Sequence, residues 1–114
     1  MVYSFDLKSR SAVRLPQAKP PLSNPLGLAH DPGANLLYVA DEDRDCVWVL
    51  DLTAPGAAWK VFLNLKALQQ WRPKAGDPVS LAVDSKGVLW IGDTSAQAVF
   101  AVDTHTNKLL RILP

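Results

Sequence analysis

The chain has 114 residues, 48% of them hydrophobic and 20% charged, enough apolar side chain for one packed domain and too much for a disordered segment. Twelve Lys and Arg face eleven Asp and Glu, a formal charge of +1, so there is no basic stripe for nucleic acid and no cationic patch for a membrane surface. No apolar run approaches the ~20 residues of a membrane span, the N-terminus lacks the apolar core of a secretory signal, and the single Cys46 excludes an internal disulfide.

In chain order, Val2–Asp6 is a short apolar segment that closes on an Asp. Leu26–Ala29 leads into the turn Asp31-Pro32-Gly33-Ala34-Asn35. Three more apolar runs follow, Leu36–Ala40, Cys46–Leu50 and Trp59–Leu63. The stretch 64–71 breaks this rhythm. Asn64 is an N-cap candidate, Leu65, Leu68 and Trp71 recur at helical spacing, and Pro73 ends it, so one short helix is expected there. Val79–Val83, Val88–Gly92, Ala98–Val102 and Lys108–Leu113 then form four further runs, with turns rich in Asp, Gly and Asn between them. Runs of four to six β-branched and aromatic residues between such turns predict about ten antiparallel strands.

The two four-run groups are copies of each other. Pro25-Leu26-Gly27-Leu28-Ala29-His30-Asp31 matches Pro78-Val79-Ser80-Leu81-Ala82-Val83-Asp84 at a spacing of 53, with four of seven residues identical. Leu36–Asp41 matches Val88–Asp93, and Val47–Asp51 matches Val99–Asp103, both at a spacing of 52. Val2–Asp6 lines up with Val99–Asp103, and Leu15-Pro16 with Leu113-Pro114, so residues 1–16 read as the second half of a third copy. The runs are nearly continuous in apolar residues, which is the pattern of strands covered on both faces. Four-stranded antiparallel units of this kind, repeated, predict blades of a β-propeller. The divisions are residues 1–16 as the outer half of a blade, 17–66 as a full blade, and 67–114 as an inter-blade insert with a second full blade.

The motifs PLGLAHD, LLYVAD and VWVLD, echoed by PVSLAVD, VLWIGD and VFAVD, resemble NHL repeats and the blades of SMP-30/gluconolactonase-like propellers. The resemblance covers residues 25–114 and, more weakly, 1–16. Ser80 stands where the NHL pattern prefers Gly, and Gly92 where it prefers Ala. The Trp-Asp signature of WD repeats and the glycine doublet of kelch repeats are absent. The resemblance implies a six-bladed parent. Closed rings hold about four to eight blades, so two and a half imply either a piece of a longer protein or several chains completing a ring.

Strand order places the second-to-third loops and the inter-blade connections on one face, where propellers of this type hold ligands. Candidate binding residues on that face are Asp41, Glu42, Asp43, Arg44 and Asp45, the densest charge run, with Trp71 and Arg72 in the insert. The acidic run can meet a basic partner or a hard cation, or Asp41 can bond backbone amides in a turn while the rest is solvated. Trp71 either contacts a partner or packs down onto the rim. The EF-hand pattern is absent. Asp31, Asp84, Asp51 and Asp103 recur at strand ends and read as turn residues. His30 has no repeat counterpart and can face the channel or bond a turn. His105 reads as solvated, and Cys46 as a small core residue. No nucleophilic triad or phosphate loop occurs.

Two functions follow, with a third beside them. The first is a propeller segment acting as a binding scaffold for a protein or small-molecule ligand. The second, implied by the resemblance, is part of a metal-dependent hydrolase of lactonase or esterase type, with Asp93, Asp41 and Asn24 as ligands to a divalent cation such as Ca²⁺. The third is a part-propeller that self-assembles. Tyr38 and Trp90, each third in its five-residue second strand, are expected to occupy equivalent buried places.

Overall fold

The computed structural model describes residues 2–114. Ten strands form three antiparallel sheets: β1 (Tyr3–Asp6) with β2 (Ser11–Arg14); β3 (Pro25–Asp31), β4 (Leu36–Asp41), β5 (Cys46–Asp51) and β6 (Lys60–Asn64); and β7 (Pro78–Val83), β8 (Val88–Asp93), β9 (Ala98–Asp103) and β10 (Leu109–Leu113). Each four-stranded sheet is a simple meander of neighbouring strands. The architecture is that of consecutive propeller blades.

The expected helix is shorter than its apolar spacing predicts. Only Leu65–Leu68 forms a helical turn, of 3-10 type, and the Asn64 side chain caps it by accepting from the Lys66 amide. Leu65 and Leu68 are buried, whereas Trp71 lies outside the turn and is 51% exposed. With two apolar residues sufficient to seal the insert against the sheets, a second turn has nothing to pack on.

The reason for the Asp-rich turns is visible in their hydrogen bonds. One carboxylate oxygen of Asp6, Asp31, Asp51, Asp84 and Asp103 accepts from amides two to four residues further on. Where the turn is four residues long, the residue that re-enters the strand is left-handed: Arg10, Asn35, Asp45, Gln97 and Asn107 have φ of 51–57°. Each stands four places after an Asp. Asn and Asp tolerate this conformation best, and three of the five positions carry them.

Two apolar layers hold the sheets together. One, between the β3–β6 and β7–β10 sheets, includes Ala29, Tyr38, Val47, Leu89, Ile91, Phe100 and Val102, and Leu65 and Leu68 close its end. The Tyr38 and Phe62 rings meet edge to face at 5.2 Å. The other lies on the opposite side of the β3–β6 sheet and joins Val39, Cys46, Trp48 and Leu50 to Ala18 and Trp59. Trp59 donates its indole N–H to the carbonyl of Pro16, which ties the first linker to the blade.

Tyr38 and Trp90 do occupy corresponding positions, but only Tyr38 is buried. Tyr38 is 1% exposed, while Trp90 is half-buried. The β7–β10 sheet covers Tyr38; no sheet among the described residues lies on the far side of β7–β10 to cover Trp90.

At the inner strands the blades nearly touch. A Cβ on Gly27 of β3 would lie 2.7 Å from the carbonyl oxygen of Val79 in β7, so a side chain there collides with backbone. Both inner strands slip register by one residue at the same place, between Pro25 and Gly27 and between Pro78 and Ser80. That repeated bulge bends each strand where the blades converge.

Candidate functional site

The β4–β5 turn, the β8–β9 turn and the two linkers 15–24 and 65–77 come together on one face, as the strand order requires. Two buried carboxylates hold them there. Asp41, at the end of β4, accepts from the amides of Ser23 (2.9 Å) and Asn24 (3.0 Å) and from the Trp48 indole N–H (3.1 Å). Asp93, at the end of β8, accepts from the Gly76 amide (2.8 Å), the Ala96 amide (2.9 Å) and the Ser95 hydroxyl (2.9 Å). Each carboxylate therefore receives three donors, out of about four lone-pair positions. The donors from Ser23, Asn24 and Gly76 belong to the linker entering that blade, so each Asp fastens an incoming linker to its own sheet.

Further bonds complete the tie. The Glu42 amide donates to the Asn24 carbonyl (3.2 Å), and the Thr94 amide to the Asp77 carbonyl (3.1 Å), the same bond in each repeat. The Ser95 hydroxyl also lies within hydrogen-bond reach of the Lys74 carbonyl, so its single proton is shared between that carbonyl and Asp93. Asp45 binds the following linker: its carbonyl accepts from the Leu65 amide (2.8 Å), and its carboxylate lies 3.4 Å from the Lys66 ammonium.

The sequence-derived residues thus separate into two groups. Asp41 and Asp93 are buried linker anchors. Asp45 is a half-buried turn residue at φ 56°. Asn24 takes part through its backbone. Glu42 is half-buried; Asp43 and Arg44 are exposed, with Asp43 accepting from the Ser23 hydroxyl (3.1 Å) and Arg44 donating to the Pro21 carbonyl (3.3 Å). Trp71 is exposed, and half-buried Arg72 lines a shallow cavity with Pro73, Lys74 and Ala96. One part of the face is therefore acidic around Glu42 and Asp43, and another is basic and aromatic around Trp71, Arg72 and Lys74. Among the described residues no three His, Cys, Asp or Glu side chains converge as a metal-ligand group.

Four partners in this site have no signal in composition or motif: Ser23, Trp48, Gly76 and Ser95. Trp48 belongs to the apolar layer that joins its sheet to the first linker, and its indole also reaches Asp41. The repeat holds the clue, since Asp41 and Asp93 end equivalent strands and each faces a linker.

The remaining candidates lie elsewhere. His30 is exposed and shares a 2.8 Å hydrogen bond with Asn35 in its own turn. His105 is in the exposed Asp103 turn. Burial, and after it the nearby Asp41 charge, pushes the Cys46 thiol up to about 11, so it stays protonated and unreactive near neutral pH.

No protein-family profile matches this sequence, and neither does any curated protein. A search of solved structures matches a luciferin-regenerating enzyme, a β-propeller, with a TM-score of 0.65 at 18% identity. The alignment covers 82% of this chain and 30% of that one, so the chain spans less than a third of the enzyme's length. The likeness establishes a β-propeller-like fold.

Proposed function

We propose that the chain is a propeller segment whose loop face binds a protein or small-molecule ligand. The observation that carries this reading is the division of labour on that face. Asp41 and Asp93 are turned inward and engaged by linker donors, while Asp43, Arg44 and Trp71 on the same loops are exposed. Rigid loops presenting both charge signs and an aromatic ring suit recognition, because little ordering is needed on binding.

The second reading is a metal-dependent hydrolase acting on a lactone or ester, with Asp93, Asp41 and Asn24 holding a divalent cation. It draws on the propeller enzyme that shares the fold. The amide donors already on both carboxylates weigh toward the scaffold reading.

The two are separated in one set of measurements. Immobilised chain is compared with Asp43→Lys and Trp71→Ala variants, and with His105→Ala on the opposite face as a control. The scaffold reading expects the same bound species to be lost from both loop-face variants and kept by the control. Hydrolysis of a simple γ-lactone that requires added Ca²⁺ and disappears in Asp93→Asn, while circular dichroism shows that variant still folded at the assay temperature, overturns it in favour of the hydrolase.

A further inference from the structure

The internal repeat shows how the second blade differs from the first on the loop face. Residues Pro21–Asn24 of the first linker correspond to Lys74–Asp77 of the second. The Ser23 and Gly76 amides end on the equivalent carboxylates of Asp41 and Asp93, and the Asn24 and Asp77 carbonyls accept from the equivalent Glu42 and Thr94 amides. In the first blade, Arg44 of the β4–β5 turn reaches over its linker and donates to the Pro21 carbonyl. In the second, Ser95 is the side chain that reaches the corresponding Lys74 carbonyl, and Ala96 stands in the place of Arg44. With only a methyl group there, a hollow of about 230 Å³ lies between turn and linker, lined by Arg72, Pro73, Lys74 and Ala96. Arg44 is exposed with the following linker already fastened to Asp45, so this place in the repeat faces solvent and not the next unit.

The charges change with the shape. The first turn carries Glu42 and Asp43, whereas their counterparts Thr94 and Ser95 are neutral. The linker changes in the other direction, with Lys74 where the first has Pro21. Among the described residues neither Arg72 nor Lys74 makes an ion pair or a side-chain hydrogen bond, and Asp77, the one acid of the insert, lies outside ion-pair reach of both. The segment is nonetheless fixed. The Trp71 and Arg72 amides donate to the Leu68 carbonyl, the Ala75 amide to the Arg72 carbonyl, and the Gln69 side chain to the Ala75 carbonyl. Two cations are therefore held beside an open hollow without an anion of their own, and the exposed Trp71 precedes them on the same pinned loop.

We infer that this hollow receives a carboxylate side chain from an acidic segment of a protein partner, with an apolar neighbour of that carboxylate lying against Trp71. The inference rests on the binding reading above and gives the partner its chemistry. The planar fork of Arg72 suits the two oxygens of a carboxylate, and Lys74 adds a second positive charge. The hollow has room for a side chain and little more, and it opens to the surface, so the rest of the ligand runs along the loop face. A chain segment supplies both the charge for the hollow and the apolar group that covers an exposed indole.

Fluorescence anisotropy tests this on the whole chain, with labelled, capped peptides that carry Glu on both sides of a Phe, against the same peptides with Gln for Glu. The Glu peptides are expected to bind about tenfold or more tighter than the Gln peptides, and to weaken as salt is raised. Ala96→Arg refills the hollow with the residue the first blade uses, and Lys74→Glu reverses a charge at an exposed site. Each is expected to weaken Glu-peptide binding about tenfold or more. Lys108→Glu, the same charge change at an exposed site on the opposite face, is expected to leave it unchanged. Circular dichroism confirms that the variants are folded, and Lys74→Glu alone carries the test if Ala96→Arg does not fold. No preference for Glu over Gln peptides overturns the proposal, and so does an equal loss in Lys108→Glu. Complete competition by inorganic phosphate at constant ionic strength overturns it in favour of a free-anion site. A bound species that is lost in Asp43→Lys and kept in Ala96→Arg overturns it while leaving the loop face a binding surface.

Discussion

Tyr38 in the β3–β6 sheet and Trp90 in the β7–β10 sheet hold the same place in the repeat, have cross-strand partners in Ala29 and Ala82, and follow the same strand–turn pattern. Tyr38 is enclosed and Trp90 is half-open. The difference arises outside either blade: it comes from what lies against each. In a repeat architecture each unit contacts its neighbours, so a residue's energetic weight depends on whether the adjacent unit is there. Trp90 also has a local use that Tyr38 lacks, since its indole N–H lies 3.3 Å from Asp84 in the neighbouring turn.

The widest gap between the two blades is expected on truncating these aromatics. Tyr38→Ala removes a ring packed on both sheets and is expected to cost about 3–5 kcal/mol. Trp90→Ala is expected to cost less, about 1–3 kcal/mol, because part of that side chain is already in water. Urea unfolding of both variants checks this, and equal losses would erase the distinction between a covered and an open blade face.

Next in size are the linker anchors. Asp41→Asn is expected to lose about 2–4 kcal/mol, since a buried amide brings N–H groups against three existing donors. Asp93→Asn is expected to lose less, because the Ser95 hydroxyl can rotate to accept a hydrogen bond instead. Chemical denaturation ranks the pair, and a reversed order would mean that the Ser95 bond to Lys74 matters more than the amide bonds.

A smaller effect tests whether two sequence departures are one feature. In the first blade Gly27 pairs across the strands with Ala40; in the second Ser80 pairs with Gly92. The Ser80 hydroxyl sits in the space that a Cβ on Gly92 needs. Gly92→Ala alone is expected to cost about 1–3 kcal/mol through overcrowding. Adding Ser80→Gly, which recreates the Gly/Ala pair of the first blade, is expected to restore most of it. A double-mutant cycle with no coupling would show that the two blades solve this crossing independently.

The smallest effect is on pH dependence. The Val88 amide first, then the Lys86 amide and the Trp90 indole, hold the Asp84 carboxyl below the ordinary carboxylate range. Asp51 is lowered in the same way by the Thr53 hydroxyl and amide. A group lowered on folding stabilises the native state fully above its unfolded value, near pH 4, and that contribution disappears as pH falls through the lower folded value. Asp84→Asn is therefore expected to make the melting temperature fall less steeply below about pH 4. An unchanged acid slope would place the acid sensitivity elsewhere.

The blades themselves were legible because strand length, turn chemistry and repetition all point to one architecture. The match extends to particular residues: Asp31, Asp51, Asp84 and Asp103 are turn acceptors, as their recurrence suggests. The fifth turn residue was less legible. Arg10 and Gln97 are poor left-handed residues by type, and only their place four positions after Asp6 and Asp93 gives them away. Trp90 was misjudged for a different reason: local pattern reports which way a side chain points, not what stands opposite. The loop-face anchors were half legible. Asp41 and Asp93 stand out, but Ser23 and Gly76 come from linkers without a shared motif, and donors supplied by backbone leave no mark in the side-chain alphabet.

The anchoring of linkers by Asp41 and Asp93 bears on how this molecule moves. Segments between repeated units ordinarily serve as joints, and their amides exchange with solvent quickly. Here the amides of Ser23, Asn24 and Gly76 end on buried carboxylates, so deuterium uptake at these positions should follow the strands and not the turns. Bending at the linkers is thereby suppressed. Large-scale motion then has to proceed by parting whole sheet faces, as pages separate at a spine, with the loop face keeping its shape until a blade itself comes away.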